Sequence, residues 1–315
     1  MPELTELSGE KKGKWLKIEL SLSPLLTDAV SNYLTETGVP GVFQEELLPQ
    51  SEGGFEITET RNVLKAYLPF DGRLEDRVAR LKTYLDSVSS LFPDVEEPHL
   101  SMEITVEQDW AEEWKKYFKP LRVSKNIVIK PTWERYNPSG RDIVIEIDPG
   151  MAFGTGQHPS TRMCLEAIED IILRDRAASK WKVLDVGTGT GILGIACAKL
   201  GAEKVVCVDI DKKAAAIARE NAAINGVESR VEIINRDVIT INERFDLIIA
   251  NLTAKILIRL RDHLLSLLVK EGYLVISGII DQNKGDIESN FLKNTFVVSR
   301  TFSEKEWVCY VLQRK

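Results

Sequence analysis

Between Val183 and Gly194 the chain reads VLDVGTGTGILG, and no other stretch limits the possible folds so sharply. Val183, Leu184, Asp185 and Val186 make a short, mostly apolar run of the kind that forms a buried strand. Glycines follow at 187, 189, 191 and 194, and the run ILGIACA then reads as a helix packed on a sheet. Strand, glycine turn and helix in that order open a nucleotide-binding βαβ unit. Glycine lets the backbone take positive φ and lets a ligand approach without meeting a Cβ. The helix start adds unpaired N–H groups and the positive end of its dipole.

Gly189, Gly191 and Gly194 spell the dinucleotide fingerprint GxGxxG, while Gly187, Gly189 and Gly191 spell GxGxG. Asp185 at the strand end separates the two readings. A carboxylate there is poorly placed beside a pyrophosphate and well placed to meet a cationic amino group. A tight turn with no ligand rarely needs four glycines. The acid followed by GxGxG resembles motif I of the class I S-adenosylmethionine-dependent methyltransferases, whose cofactor carries an ammonium and a sulfonium and no phosphate. A nicotinamide dehydrogenase is the rival reading; it would need a catalytic His or Lys site after the sheet, and the sequence offers none.

A chain of 315 residues has room for two domains. Hydrophobic residues make up 43% and charged residues 28%, as in a soluble globular protein. No apolar run approaches the ~20 residues of a membrane span. MPELTELSGEKKGKW lacks the apolar core of a signal peptide. The four cysteines, 164, 197, 207 and 309, form no CxxC pair, and three of them lie in apolar stretches and read as packed thiols. Neither disulfides nor a metal site is expected, and a cytoplasmic protein fits. The formal charge of −7 argues against a nucleic-acid binder and is compatible with a basic protein partner.

In chain order, residues 14–22 alternate as a strand, and Pro24 opens a helix to about residue 37. Strands follow at 42–48 and 63–70, with a glycine turn at 50–54 between them. Asp71 can cap a helix running to Leu91, and residues 100–106 close as a fourth strand. The order βαββαβ is that of a ferredoxin-like domain, expected over residues 1–107. It carries no catalytic cluster and reads as a substrate-holding module. Residues 108–122 are expected to be a linker helix in which Trp110, Trp114, Tyr117 and Phe118 act as interdomain glue. Residues 123–315 form the larger domain, opening with strands at 123–129 and 143–147.

Asp148 to Arg162, DPGMAFGTGQHPSTR, carries too many turn residues for a plain connector. Thr161 stands at a helix start, where its hydroxyl can cap the helix or bond a ligand. His158 reads either as a structural hydrogen-bonder or as a base. Asp209 ends the strand 204–210, ~20 residues past the glycine loop, where an acid accepts hydrogen bonds from both ribose hydroxyls. Asp211 reads as the cap of a helix to Ile224. A strand at 231–234 leads to Asp237, at a position where methyltransferases of this class bond the adenine amino group. The strand 245–250 ends in Asn251, which is either a cap for a helix over 253–268 or the amide that holds a target nitrogen. A strand at 273–279, a helix at 281–292 and an antiparallel hairpin (296–302, 306–312) complete a seven-stranded, Rossmann-like sheet.

Taken with the small head, the segments DWAEEWKKYFKP, MAFGTGQHPST, LDVGTGTGILGIA, VDID and IIANLTA resemble one family. It is the bacterial methyltransferase of large-subunit ribosomal protein eleven, and the resemblance spans nearly the whole chain. It implies a class I methyltransferase domain that binds S-adenosyl-L-methionine and a head that holds the ribosomal protein. The implied products are methylated lysine side chains and a methylated N-terminal amine. The positions matching cofactor-contacting residues of the family are Thr161, Gly187, Asp209 and Asn251, to which the reading of the residues adds Asp185, Gly189, Gly191 and Asp237. Asn251 is also the expected catalytic residue. A monomer without metal, membrane or sequence-specific nucleic-acid contacts is expected. A class I methyltransferase for another protein or a small amine is the alternative.

Overall fold

The computed structural model describes residues 14–36, 42–47, 61–69, 71–92, 95–106, 119–148, 154–174, 180–292 and 295–315. The chain divides into two compact units, Met1–Tyr117 and Phe118–Lys315. The glycine turn at 50–54 and the aromatic linker residues Trp110, Trp114, Tyr117 and Phe118 lie outside the described residues.

The first unit runs β1 (Lys14–Leu22), α1 (Pro24–Glu36), β2 (Val42–Leu47), β3 (Arg61–Pro69), α2 (Leu74–Leu91) and β4 (His99–Val106). Its four strands pair antiparallel in the order β2-β3-β1-β4, so β1 lies between two strands remote from it in sequence. That is the split βαβ pairing expected of a βαββαβ chain. Alternation in β1 buries Leu16, Ile18, Leu20 and Leu22 on one face, against Leu26, Val30 and Leu34 of α1 and Leu74, Val78, Leu81 and Leu85 of α2. Asp71 accepts the backbone N–H of Arg73 at 2.9 Å and pairs with Arg77, which fixes the turn into α2.

The second unit opens with a small sheet of β5 (Leu121–Arg122), β6 (Ile127–Lys130) and β7 (Ile143–Glu146). Residues 121–122, the last two of the expected linker helix, are therefore extended: they pair antiparallel with β6, whose partners Val128 and Ile129 are buried. Then come α3 (Pro159–Arg174), β8 (Lys182–Val186), α4 (Ile192–Leu200), β9 (Lys204–Asp209), α5 (Lys212–Ile224) and β10 (Val231–Asn235). β11 (Phe245–Asn251), α6 (Ala254–Leu267), β12 (Leu268–Ile280), α7 (Lys284–Phe291), β13 (Phe296–Glu304) and β14 (Trp307–Arg314) follow. Seven strands assemble as β10-β9-β8-β11-β12-β14-β13. Six run in one direction, and β14 inserts antiparallel between β12 and β13. The sequence places the strand after α6 at 273–279; it begins five residues earlier, at Leu268, because Leu268 already pairs with Phe245 before the register shifts.

One face of this sheet packs on α3, α4 and part of α5, the other on α6 and α7. The apolar stripe Ala254, Leu257, Leu260, Leu264 and Leu267 at helical spacing seats α6. Each leucine so buried contributes ~1.5–3 kcal/mol. All four cysteines are free and fully enclosed in these cores. Burial pushes the thiols of Cys197 and Cys207 well above the ordinary range. No described helix is long and apolar enough to cross a membrane.

Candidate functional site

Strand order reverses between β8 and β11: β9 and β10 lie on one side, β12 on the other. In parallel sheets such a switch point leaves a crevice at the carboxyl ends of the strands. Register sets what surrounds it. Val186 pairs with Ala250 on one side and Val208 on the other, so Asn251, Gly187 and Asp209 end three adjacent strands at one level. Neighbouring strands lie ~4.8 Å apart, so Asn251 and Asp209 flank the glycine loop at ~10 Å from each other.

The glycines divide their work. Gly187, Gly189 and Gly191 have φ of 70°, 56° and 85°, a left-handed run that side chains disfavour. Gly187 is exposed and Gly189 half-buried, and both face the crevice end of the sheet. Gly191 is buried, and a Cβ there would lie 3.2 Å from the Ala218 Cβ of α5. A Cβ on Gly194 would lie 2.3 Å from Cys207 Sγ. These two glycines let α4 pack closely on α5 and β9.

Asp185 departs from the picture of an acid standing in the open. It is 1% exposed, beneath the loop. Its Oδ2 accepts the Thr188 hydroxyl at 2.6 Å and the Gly194 N–H at 3.1 Å. Its Oδ1 is buried without a hydrogen-bond partner. Burial pushes its carboxyl up to about 6, although the bonds from Thr188 and Gly194 pull the other way. A buried carboxylate oxygen without a partner is costly unless a cation offsets it, which suits a cationic ligand above the loop. A raised acid binds its proton more tightly folded than unfolded. The stability it gives is present below its ordinary 3.8 and lost as pH rises to about 6. Asp185→Asn is therefore expected to match the wild type near pH 4 and to become more stable by roughly 3 kcal/mol above pH 6. Denaturant midpoints across that range check this; an equal advantage at every pH would remove Asp185 as its source.

Asp209 is held in a different way. Oδ2 accepts the Gly189 N–H and Oδ1 the Asp211 N–H, both at 2.9 Å. Each oxygen keeps lone-pair capacity for a hydroxyl. Asp211 caps α5 through the Lys213 N–H at 2.8 Å, as its position before the helix predicts. Asp237 is exposed and accepts the Ile239 N–H at 3.1 Å, at the head of a short 3-10 turn. Two residues escaped the sequence reading here. Ile210 is 77% and Ile239 58% exposed, apolar side chains next to Asp209 and Asp237. Asn235 braces the first by donating to the carbonyls of Asp209 and Ile210. An isoleucine at a strand end reads from sequence as core, so nothing marked Ile210.

On the other side, Asn251 is not a helix cap. Thr253 occupies that position before α6, and its carbonyl accepts the N–H groups of Ile256 and Leu257. The Asn251 amide nitrogen donates to Thr161 Oγ1 at 3.3 Å. Thr161 is 1% exposed, and its hydroxyl supports Asn251 from below. Asn251 Oδ1 lies 3.0 Å, and the Leu252 carbonyl oxygen 2.7 Å, from where a Gly278 Cβ would stand. Gly278, at φ 81°, keeps that space free of a side chain.

His158 sits at the start of α3, and its Nδ1 meets the Ser160 hydroxyl at 2.7 Å and the Ser160 N–H at 3.2 Å. Its ring packs edge-on against Trp307 at 4.6 Å. Burial, with the charge of Arg162, lowers its pKa to about 4. A base that weak is neutral and poorly matched to proton transfer at neutral pH. Arg162 in turn pairs with Glu304 at the β13–β14 hairpin.

The sheet order, the switch-point crevice and the acid-and-glycine loop define a class I S-adenosylmethionine-dependent methyltransferase. Comparison with known proteins narrows this. The family model described as "Ribosomal protein L11 methyltransferase (PrmA)" matches residues 14–315, and the chain belongs to that family. The chain is 39% identical over 311 residues to the ribosomal protein L11 methyltransferase of Caldicellulosiruptor saccharolyticus, covering 96% of this chain and 100% of that protein. To its namesake in Pelobacter propionicus it is 37% identical over 302 residues, with coverage of 96% and 98%. Among solved structures, the ribosomal protein L11 methylase of Lactobacillus delbrueckii subsp. bulgaricus aligns with a TM-score of 0.56 at 33% identity, covering 63% of this chain and 100% of that one.

Proposed function

We propose that this protein methylates lysine side-chain amines and the N-terminal amine of large-subunit ribosomal protein eleven, and that its N-terminal unit holds that protein. Support comes from the family membership and from one observation above all: Asn251 stands level with Gly187, its amide nitrogen engaged by Thr161, and its amide oxygen and the Leu252 carbonyl both close on Gly278. Two oxygen acceptors side by side suit a neutral amine with N–H bonds to donate. They do not suit a nucleophile that has none.

The residues present fit the cofactor. Asp209 would take the ribose hydroxyls, Asp237 the adenine amino group, and Ile210 and Ile239 the faces of the purine. Gly189 would leave room for the chain of the methionine part, Gly187 lies close against the Leu252 side chain, and the charge of Asp185 would meet the ammonium. S-adenosylmethionine supplies a methyl group already activated on a sulfonium, so the protein's own share is position and desolvation. A lysine must reach the site without its proton, at a cost of roughly 4–5 kcal/mol at neutral pH. Asn251 Oδ1 and the Leu252 carbonyl then accept the remaining N–H bonds and aim the lone pair. Solvent takes the proton, because His158 is too weak a base to hold it. The cytoplasm, where ribosomes are assembled and thiols stay reduced, is the fitting compartment.

Transfer of labelled methyl to purified ribosomal protein eleven tests the reading, with the modified amines located by mass spectrometry. Label on lysine and N-terminal nitrogens is the expected result. Label on another protein or a small amine alone would overturn the substrate assignment. Calorimetry on Asp185→Asn adds a separate check: donor affinity is expected to fall about tenfold or more with the charge gone. Unchanged affinity would leave Asp185 a purely internal brace.

A further inference from the structure

The crook from Gly187 to Gly191 carries only two side chains, Thr188 and Thr190, and neither is open to solvent: they are 5% and 0% exposed. Thr188 anchors the crook downward, to Asp185. Thr190 anchors it sideways. Its hydroxyl donates to the carbonyl of Gly154, a residue 36 positions earlier, and its own carbonyl accepts Asn221 Nδ2 of α5 at 2.9 Å.

Gly154 is pressed closely against this contact. At φ 106° a Cβ on it would lie 3.0 Å from Thr190 Oγ1 and 3.5 Å from Ile192 Cγ2. Two residues on, a Cβ at Gly156 (φ 85°) would lie 2.1 Å from Ile129 Cδ1 and 3.3 Å from Ile192 Cδ1. Residues 154–156 are thus wedged among the crook, the start of α4 and β6. The same segment continues into α3. There Thr161 bonds Asn251, and the Ser160 carbonyl accepts the Ser277 hydroxyl at 3.2 Å. Among the described residues, the Thr190 hydroxyl makes the one side-chain hydrogen bond between the crook and residues 154–158.

We propose that Thr190 is a positioning residue that locks the acceptor-side loop, with Thr161 and through it Asn251, to the donor-side crook. This rests on the functional reading above. Thr190 touches neither substrate, and it acts by fixing the distance between the two halves of the site. Displacement transfer is sensitive to that distance, since about 1 Å of misplacement can cost ~100-fold in rate. Donor binding needs only the crook, Asp209 and the strand ends beside them, so it should tolerate the loss.

The full-length chain as Thr190→Val, which keeps the shape and drops the hydroxyl, and as Thr190→Ser, which keeps the hydroxyl, provides the test. Three measurements are made: kcat for methyl transfer to ribosomal protein eleven, donor Kd by calorimetry, and amide hydrogen exchange over residues 154–161. For T190V we expect kcat to fall at least tenfold, donor Kd to stay within threefold, and exchange over 154–161 to quicken while β8 is unchanged. T190S is expected to return kcat to within threefold of wild type, which a role in stability alone would not require of a normally folded T190V. The proposal is overturned if T190V turns over within twofold of wild type. It is equally overturned if donor affinity falls by the same factor as turnover, or if T190S is as impaired as T190V. Should T190V fail to fold, Thr190→Ala carries the same measurements and deciding outcomes. A wild-type protein inactive on ribosomal protein eleven would overturn the substrate reading instead. The exchange measurement needs no acceptor and still decides the case of Thr190: exchange over 154–161 unchanged in T190V would overturn the lock.

Discussion

Replacing Asn251 by alanine is expected to reduce methyl transfer about a hundredfold or more while donor Kd changes less than threefold. A hundredfold loss corresponds to roughly 2.7 kcal/mol of transition-state stabilisation. The asymmetry follows from where the residue stands. Asn251 ends β11, one strand from the glycine loop, and its amide nitrogen is engaged by Thr161. Asn251→Asp makes a finer test. It keeps the shape, but its charge favours the ammonium form of the acceptor, which has no lone pair to offer. Its turnover relative to the wild type's at the same pH should therefore recover in part as pH is raised, whereas the alanine variant's relative turnover should not. Normal turnover in the alanine variant would take Asn251 out of the chemistry.

A chain of residues 118–315 is expected to bind the donor within threefold of the full protein and to lose methylation of intact ribosomal protein by two orders of magnitude or more. The cores predict that it folds. Among the described residues, the buried clusters of the second unit begin at Ile127, and the cluster of the first unit ends at Val88. A shortened chain that methylates the ribosomal protein at the full rate would show that the first unit does not hold that substrate. A shortened chain that no longer binds donor would show instead that the second unit depends on the first.

Period and turn chemistry explain what could be read before the structure. Strands and helices on either side of the glycine loop follow from alternation, helical stripes and punctuation by glycine and capping acids, and Asp211 caps the helix it precedes. Loop side chains are different, because a loop has no period to tell inside from outside. Thus the burial of Thr188 and Thr190 in the crook is not announced by any local pattern. Thr190 drew no notice between two glycines, although it spans the site. Glu169 is missed for a related reason. A carboxylate within a helix reads as a wet face, yet this one is 3% exposed and accepts the backbone N–H groups of Lys125 and Asn126 together with the Asn126 side-chain amide. Long-range pairing decides such positions, and pairing is not written in local pattern.

The enclosure of every native thiol has a practical corollary. Maleimide reagents need an accessible thiolate, and Cys164, Cys197, Cys207 and Cys309 offer none. A lone cysteine introduced at Ile210, which is 77% exposed, would take a fluorophore while the native four stay unlabelled. Emission from that dye would then follow occupancy of the crevice in real time, without first stripping the protein of its own sulfur.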